Sequence, residues 1–410
     1  MADDQDDPPP YGEYQHDLYT QGILRGVLPV ITTDPNKLRL EAKRLMKPEA
    51  FNYISGGSGE GSTMDANRLA FRQWKIVPRM LRPTAPRDLS IHLFGQRYDS
   101  PVLCAPVGVQ EVYHKDREVG TASACAELRV PFILSTASTS SIPEVAAACG
   151  QQPRWLQLYW PMDDEITASI LKTAQASGFT ALVVTLDTAT MAWRPADLDH
   201  SFLPFMTGQG NRIAFEDPVF RRKFAEQNDG DSPEDSVIVA SRYWVSEAFS
   251  GDSHSWDHIK VLRQLWNGPL LLKGILHPED AKLAYQHGVD GIVVSNHGGR
   301  NVDGAVGALD MLPDIVEAVG DKMTILFDSG IRTGADIIKA LSLGAEAVLV
   351  GRPIMYGLGI GGKEGAKHIL ASLLAEVDVT MGLAGIKSVA ELSETNLRRT
   401  SYGGDAKSSL

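Results

Sequence analysis

The sequence has few cysteines, no long hydrophobic run and no surplus of positive charge, and each absence excludes a class of protein. Three cysteines in 410 residues, Cys104, Cys125 and Cys149, cannot all pair, and their spacing fits no metal site. They are expected to be buried free thiols in a reducing compartment. No apolar run reaches the ~18 residues of a membrane span. A formal net charge of -12 argues against nonspecific nucleic-acid binding, which requires clustered lysine and arginine.

Neither end of the sequence carries a clear targeting signal. Residues 1–13 begin acidic and proline-rich, which predicts a disordered leader and not a secretory signal. The last residues, Ser408-Ser409-Leu410, resemble a peroxisomal Ser-Lys-Leu tail but lack its basic residue, so residues 401–410 are interpreted as a polar tail. The expected location is therefore the cytoplasm, with the peroxisome as the weaker alternative.

What the sequence does have is a regular alternation of strand-like and helix-like stretches, which begins near Pro101. Short apolar runs rich in β-branched residues alternate with segments that suit helices, a pattern typical of a parallel sheet covered on both faces. Eight such units close most naturally into a (β/α)8 TIM barrel. The predicted strands are Val102–Ala105, Pro131–Leu134, Trp155–Tyr159, Ala181–Leu186, Leu270–Lys273, Gly291–Val294, Thr324–Phe327 and Ala347–Val350. Helices are predicted at Arg117–Leu128, Asp163–Ala176, Pro278–His287 and Thr333–Leu343.

One connection is much longer than the others. Residues 188–269 separate the fourth and fifth strands, and their polar centre, Glu226–Glu234, predicts a mobile segment. Such a loop would lie at the C-terminal face of a barrel, where active sites are found, so we interpret it as a lid, with a decorative insertion as the alternative. The barrel domain is predicted to span residues 14–400, with a helical segment before its first strand.

Polar side chains cluster at the carboxyl ends of the predicted strands. A buried strand carries few polar groups because each one costs free energy unless it has a partner. Strand ends form the face on which barrel enzymes assemble their sites, so these residues predict one pocket. They are Ser135, Gln157, Tyr159, Thr185, Asp187, Lys273, Ser295, His297, Arg300, Asp328, Arg332, Gly351 and Arg352.

The last two strands are followed by a pattern that suits phosphate. Asp328–Arg332 and Gly351-Arg352 place glycines and arginines where barrels commonly bind this group. Glycine lets backbone N–H groups approach the oxygens, and arginine can bond two of them at once. A phosphate-bearing cofactor or substrate is expected, with structural glycines beside surface arginines as the alternative.

The run Ser295–Arg300, which reads SNHGGR, together with these two segments, resembles the FMN-dependent 2-hydroxy acid oxidase and dehydrogenase family. The resemblance extends from about residue 14 to the C-terminal region. Within the family the sequence is most similar to lactate 2-monooxygenases, at Tyr53–Glu60, Pro78–Leu81, Thr185–Thr188 and Trp193–Pro195.

The resemblance implies catalytic roles for named residues. His297 would be the base that takes a proton from the substrate, a task that suits an imidazole because its pKa is near neutral. Asp187 would hydrogen-bond His297 and stabilise the imidazolium, with capping of the next helix as the alternative. Substrate contacts are implied for Arg194 and Arg300, which would clamp a carboxylate, and for Tyr53 and Tyr159, whose alternative role is packing.

The resemblance also implies FMN as the cofactor, with no metal. Lys273 would lie beside the flavin and stabilise its reduced, anionic ring. Other flavin contacts are implied for Ala105, Gly108, Ser135, Gln157, Thr185 and Ser295, and contacts toward the phosphate for Asp328, Gly330, Arg332, Gly351 and Arg352.

Two positions bear on the reaction. Ala137 stands where glycolate oxidases carry tryptophan, which implies a smaller pocket wall. Gly108 matches lactate monooxygenases, where plain oxidases tend to carry alanine. We therefore expect oxidation of a small L-2-hydroxy acid such as lactate, with O2 as acceptor and decarboxylation to acetate. A plain oxidase that releases peroxide, and a dehydrogenase with another acceptor, stay open.

Two further classes are weighed against this interpretation. A noncatalytic FMN-binding barrel is disfavoured because His297, Asp187 and both arginines are present. An inosine-monophosphate dehydrogenase type is disfavoured because none of the three cysteines lies in a suitable loop. The resemblance also implies a tetrameric or octameric homo-oligomer.

Overall fold

Eight parallel strands form a closed barrel in the computed structural model, which describes residues 10–400. Residues 1–9 and 401–410 lie outside the described part, and with them most of the predicted leader and all of the predicted tail. The barrel confirms the predicted fold, and each strand ends within two residues of its expected position. The strands are β1 (Val102–Cys104), β2 (Phe132–Ser135), β3 (Arg154–Leu158), β4 (Ala181–Thr185), β5 (Leu270–Ile275), β6 (Gly291–Val294), β7 (Thr324–Phe327) and β8 (Ala347–Val350).

Four helices precede the barrel, as the predicted N-terminal helical segment requires. The first begins at Glu13, and the backbone N–H of Gly12 donates to the Asp378 carboxylate at 2.6 Å. The loop after the third helix is fixed to the barrel, since Asp303 accepts hydrogen bonds from the Glu60 N–H and the Ser62 hydroxyl. This attachment brings Tyr53 to the C-terminal mouth of the barrel. The helices are α1 (Glu13–Arg25), α2 (Pro35–Leu45), α3 (Pro48–Ser55) and α4 (Ser62–Gln73).

The remaining helices follow the strands or belong to the insertion. All four helices predicted from the sequence are present, at Arg117–Glu127, Asp164–Ala176, Pro278–Gln286 and Gly334–Ser342. Thr333 caps the last of these, because its hydroxyl accepts from the Asp336 N–H at 3.1 Å. The final helix has non-helical backbone at Gly361 and Gly362. The helices are α5 (Arg117–Glu127), α6 (Ile142–Cys149), α7 (Asp164–Ala176), α8 (Pro195–Leu198), α9 (Arg212–Glu216), α10 (Pro218–Gln227), α11 (Val237–Ala248), α12 (Ile259–Leu265), α13 (Pro278–Gln286), α14 (Ala308–Val319), α15 (Gly334–Ser342) and α16 (Arg352–Ala384).

Alternate strand residues fill the inside of the barrel, as in other barrels of this kind. This inner cluster includes Leu103, Ile133, Trp155 and Val183, and it is separate from the larger core between strands and helices. A short hairpin, Ile91–Leu93 with Gln96–Tyr98, packs on the cluster at the N-terminal end. Its Tyr98 ring meets Trp155 edge-on at 6.2 Å. The hairpin was not predicted, and it closes the end of the barrel opposite the candidate site.

The insertion between β4 and β5 is mostly helical. Its helices α8 to α12 pack on the barrel and on one another, and the backbone N–H of Met162 bonds the carbonyl of Glu247 in α11. The segment Glu226–Glu234 lies on the exposed side, where Glu234 pairs with Arg221 at 2.7 Å. Its predicted mobility stays a prediction.

Cys104, Cys125 and Cys149 are all buried free thiols, as expected. Among residues 10–400, no helix is long and apolar enough to cross a bilayer. In the same residues, no three His, Cys, Asp or Glu side chains lie together in a way that could hold a metal ion.

Candidate active site

A cavity opens at the C-terminal mouth of the barrel, where the strand ends, the N-terminal segment and the insertion meet. It measures about 990 Å³, including the part open to solvent. Most of the side chains singled out from the sequence line it, namely Tyr53, Ala105, Gly108, Tyr159, Arg194, Lys273, His297, Arg300, Asp328, Gly330, Arg332, Gly351 and Arg352.

His297 and Asp187 form a hydrogen-bonded pair at one side of this cavity. The imidazole Nδ1 lies 2.7 Å from Asp187 Oδ1. An ionised carboxylate only accepts hydrogen bonds, so Nδ1 carries the hydrogen and Nε2 is left as an acceptor. The hydroxyl of Thr188 also donates to Asp187 Oδ1, at 2.9 Å. The next helix begins only at Pro195, so Asp187 contacts the histidine and caps no helix.

The electrostatics of the pair favour a neutral imidazole beside an ionised carboxylate. Burial would raise the pKa of Asp187, but the facing His297 and Lys273 hold it well below its ordinary value. Burial lowers the pKa of His297, and the charge of Asp187 offsets part of that effect. The histidine is therefore neutral at physiological pH and ready to accept a proton.

Lys273 lies at the end of β5 with its ammonium group enclosed. It donates to the Ser295 hydroxyl at 3.1 Å, and the Asp328 carboxylate is 3.4 Å away. Burial would lower the pKa of Lys273, but Asp328 and Asp187 raise it overall. A permanent positive charge is thus fixed on the wall of the cavity.

The loop that carries His297 has backbone geometry that few residues adopt. His297 has φ +57° and Ser329, on the neighbouring loop, has φ +86°. The Ser329 hydroxyl accepts from the N–H groups of Asn296 and Gly298 and donates to Asp328. Non-glycine residues at positive φ persist only where surrounding contacts fix them, and they are concentrated at functional sites.

Two arginines face the same space as His297. Arg194 donates from Nε to the Arg300 carbonyl and from Nη2 to the Asn301 side-chain oxygen, at 3.0 and 3.1 Å. Arg300 donates to the carbonyls of Tyr53 and Gly56 and lies over the Tyr53 ring. Burial and the nearby charge of Arg300 lower the pKa of Arg194. Two guanidinium groups that repel each other in a buried site favour an anion between them.

Tyr53 and Tyr159 lie on this cavity with their hydroxyls protonated. Burial raises the pKa of Tyr53, and it raises the pKa of Tyr159 to about 12. The Tyr159 ring also packs against Phe249 of the insertion, with 4.9 Å between ring centres. Hydrogen bonding and packing are therefore both available to Tyr159.

The ends of β7 and β8 carry the segments expected to bind phosphate. Gly330 has φ +94°, which side chains rarely adopt, and Gly351 precedes the first turn of α16. The guanidinium of Arg332 donates to the Ile331 carbonyl. Burial lowers the pKa of Arg332, and it lowers the pKa of Arg352 to about 9. Buried cations of this kind beside a helix N-terminus suit an anionic ligand.

Arg352 differs in detail from its expected role. Its guanidinium donates to three backbone carbonyls, those of Ile54, Gly298 and Gly56, at 2.8–2.9 Å. It lines the cavity while connecting the N-terminal segment to the histidine loop. Direct phosphate binding by Arg352 stays a prediction.

Four expected cofactor contacts lie behind the cavity lining. Ser135 donates to Gln157 Oε1 at 2.8 Å, and Gln157 Nε2 donates to Thr185 Oγ1 at 2.9 Å. This buried row crosses β2, β3 and β4. Ser295 accepts from Lys273 and from the His297 N–H, so its hydroxyl connects the Lys273 ammonium group to the loop that carries His297.

Several residues of the site were missed by sequence reasoning. An apolar wall includes residues of the insertion, whose sequence shows no periodic signal. Asn301 and Ser329, by contrast, directly adjoin predicted residues in the chain. The residues missed are Val107, Tyr113, Met191, Phe205, Phe249, Asn301 and Ser329.

Gly108 has a structural reason to be glycine. A Cβ at this position would lie 2.5 Å from the Ala137 carbonyl oxygen and 2.7 Å from the Ala137 Cβ. The Val109 N–H also bonds that carbonyl at 2.8 Å, so the two loops are fixed together. The close approach between loops therefore explains the glycine without reference to a cofactor.

Comparison with known proteins agrees with this geometry. A profile of the FMN-dependent dehydrogenase family matches residues 42–399. An FMN-dependent α-hydroxy acid dehydrogenase of Penicillium citrinum is 55% identical over 98% of this chain and 100% of its own length. An L-lactate oxidase of Lysinibacillus sphaericus is 41% identical, over 85% of this chain and 88% of its own. The crystal structure of a mandelate oxidase superposes with a TM-score of 0.76 at 34% identity, over 90% of this chain and 98% of that chain. The chain therefore belongs to the FMN-dependent dehydrogenase family.

Proposed function

We propose that this protein oxidises small L-2-hydroxy acids such as lactate, with FMN as cofactor and O2 as final electron acceptor. One observation carries the proposal: His297, which is hydrogen-bonded to Asp187, lines the same cavity as two arginines, Arg194 and Arg300. A base and a carboxylate clamp are what a 2-hydroxy acid requires. The related α-hydroxy acid dehydrogenase and lactate oxidase support the same substrate class.

The residues of the cavity fit FMN. Arg332 and Gly330, with Gly351 at the start of α16, would hold the phosphate. The backbone of Gly351 has open space beside it, because a Cβ there would meet only side-chain atoms, at 3.5–3.6 Å. Lys273 would place its positive charge beside the flavin ring. When bound, FMN supplies the acceptor for the two electrons that leave the substrate.

The chemistry assigned to the chain is binding and proton transfer. Arg194 and Arg300 hold the substrate carboxylate and fix the orientation of its α-carbon. His297 Nε2 takes a proton from the substrate, and Asp187 stabilises the imidazolium that results. Removal of such a base typically costs about 10²–10⁴-fold in rate, so His297 should dominate the chemical step.

The apolar wall indicates which side chain the substrate carries. Val107, Ala137, Phe205 and Phe249 line the cavity beside Tyr159, and Ala137 is the smallest of them. Apolar walls with a few polar anchors select uncharged side chains of matching size. The wall suits the methyl group of lactate and also leaves room for a larger uncharged substituent.

We further propose lactate 2-monooxygenase chemistry. The insertion contributes Met191, Phe205 and Phe249 to the cavity, and this cover supports retention of the first products. Retained pyruvate and hydrogen peroxide would react to acetate, CO2 and water. A plain oxidase releases both products instead. Gly108 does not favour either outcome, because its contact with Ala137 accounts for the glycine.

Two measurements on the purified holoenzyme test the proposal. Anaerobic addition of L-lactate should bleach the flavin absorbance. If none of a panel of 2-hydroxy acids bleaches it, the proposed function is wrong. Under air, acetate and CO2 mark the monooxygenase, whereas stoichiometric peroxide and pyruvate mark the plain oxidase. Reduction without reaction with O2 would indicate a dehydrogenase with another acceptor.

We also propose a homo-oligomer, by resemblance to the family. Ile23, Leu24 and Leu28, at the end of α1 and just after it, are each 75–78% exposed, and burial against another copy would remove this apolar surface from water. Light scattering on the purified protein measures the mass; a tetramer or octamer is expected, and a monomer contradicts it.

A further inference from the structure

We propose that Asn301 is a positioning residue that couples the substrate clamp to the catalytic base. Both the oxygen and the nitrogen of its carboxamide form hydrogen bonds within the site. The oxygen accepts from Arg194 Nη2 at 3.1 Å. The nitrogen donates to the Asp187 carbonyl at 2.7 Å and to Asp187 Oδ1 at 3.1 Å. Asn301 therefore contacts the arginine of the clamp and the carboxylate of the base pair at once.

The position of these contacts matters because Asp187 Oδ1 is also the atom that accepts from His297, at 2.7 Å. The Thr188 hydroxyl donates to the same oxygen and accepts a hydrogen bond from Asn301 Nδ2 at 2.9 Å. Asn301 thus completes a network that fixes the carboxylate in the orientation the histidine requires. A carboxylate held in this way keeps the imidazole in one tautomer.

The carboxamide of Asn301 satisfies both of its neighbours, because it has an acceptor at one end and a donor at the other. Arg194 presents donors and needs an acceptor, whereas Asp187 presents acceptors and needs a donor. An aspartate of the same shape would pair with Arg194 but would place its negative charge against Asp187. An alanine would remove the hydrogen bonds to both neighbours. The two substitutions therefore separate the loss of contacts from the addition of charge.

The inference rests on the proposed function and predicts a coupled defect. In Asn301→Ala, Arg194 and Asp187 both lose a hydrogen bond that involves a charged group. We expect the rate of anaerobic flavin reduction by L-lactate to fall roughly tenfold to a hundredfold. The Kd of oxalate, measured from the change in flavin absorbance, should rise by a similar factor, since oxalate needs the clamp but not the base.

Asn301→Asp should change the pH profile as well. The added negative charge near His297 stabilises the imidazolium, so the pKa of His297 rises and the acid limb of flavin reduction moves to higher pH. The new carboxylate also competes with substrate for Arg194, so the Kd of oxalate rises again. The matched control is Asn36→Asp at an exposed position of α2, which should leave the pH profile and the oxalate Kd as in the parent.

The outcomes are separable. If the parent protein binds FMN but none of the 2-hydroxy acids reduces that FMN, the proposed function is wrong, and the role of Asn301 is wrong with it. Should the parent be active while both Asn301 variants keep its pH profile and oxalate Kd, and differ only in melting temperature, Asn301 is merely structural and the coupling is wrong. If Asn301→Ala does not fold, the near-isosteric Asn301→Asp decides the matter by its pH profile alone.

Discussion

The two halves of the cavity differ in what their charged groups contact. At the ends of β4–β6, the base half, ionisable side chains pair with one another: His297 lies 2.7 Å from Asp187, and Lys273 lies 4.0 Å from the same carboxylate. At the ends of β7 and β8, the phosphate half, Arg332 and Arg352 donate to backbone carbonyls instead. Burial lowers the pKa of both arginines, to about 9 for Arg352.

The difference separates chemistry from binding. In the base half, the ionisable groups pair with one another, so no ligand is needed to balance their charges. The phosphate half has buried positive charge that an anionic ligand would stabilise, because an opposite charge offsets the cost of desolvation. The base half should therefore determine the rate, and the phosphate half should determine cofactor affinity.

The largest expected effect comes from replacing the base. In His297→Gln, flavin reduction by L-lactate should slow by about 10²–10⁴-fold because no group of suitable pKa takes the proton. Affinity for FMN should stay near that of the parent, since the change lies in the base half. Stopped-flow absorbance measures the rate, and titration of the flavin-free protein measures the affinity.

His92→Gln is the matched control for this substitution. His92 is exposed on the hairpin at the opposite end of the barrel, so its replacement should change neither quantity. A His297→Gln variant that kept the parent rate would remove His297 from the mechanism. Loss of FMN binding in that variant would instead break the division between the two halves.

The next effect tests the phosphate half. Arg332→Leu should weaken FMN binding roughly tenfold to a hundredfold, because a hydrogen bond to a charged group contributes about 1.5–3 kcal/mol. With FMN in excess, the rate of flavin reduction should return close to that of the parent. A variant that binds FMN normally but reduces it slowly would contradict the proposed division.

The sequence was sufficient to predict the barrel because its strands are continuous apolar runs at regular spacing, and buried parallel strands show that pattern. Strand ends then placed His297 and Lys273 on one face. The hairpin at Ile91–Leu93 was missed because three-residue strands carry almost no periodic signal. The resemblance supplied individual roles, such as that of Arg194 within the insertion.

Contacts between distant segments could not be predicted. Asn301 meets Asp187 across 114 positions of chain, and the preference of an amide for these two partners appears only once the loops are placed. Phe205 and Phe249 lie in a long insertion whose path no local pattern determines. Gly108 was interpreted from the cofactor side, whereas the structure shows its contact with Ala137.

A smaller effect is expected where the loop after β1 meets the loop after β2. In Gly108→Ala, the new Cβ would overlap the Ala137 carbonyl at 2.5 Å, so the loops must separate. Overpacking of this kind lowers the free energy of unfolding by about 1–3 kcal/mol. Denaturant unfolding measures it. Gly351→Ala is the comparison, because its Cβ meets side chains only at 3.5–3.6 Å and should cost less stability. Equal losses in both variants would contradict the steric account.

The smallest effect concerns pH and returns to the base half. His297 must be neutral to accept a proton, so kcat/KM for L-lactate should fall as pH falls through the pKa of His297. An imidazole with an ordinary pKa of ~6.5 is about one quarter neutral at pH 6. Because burial lowers the pKa of His297 below that value, kcat/KM should drop less than about fourfold between pH 8 and pH 6. Asp187→Asn removes the charge that partly offsets burial, so the acid limb should move to still lower pH while the maximal rate falls. An acid limb above pH 7 in the parent would show that the imidazole is charged in the resting enzyme, and the base half would then need a different proton acceptor.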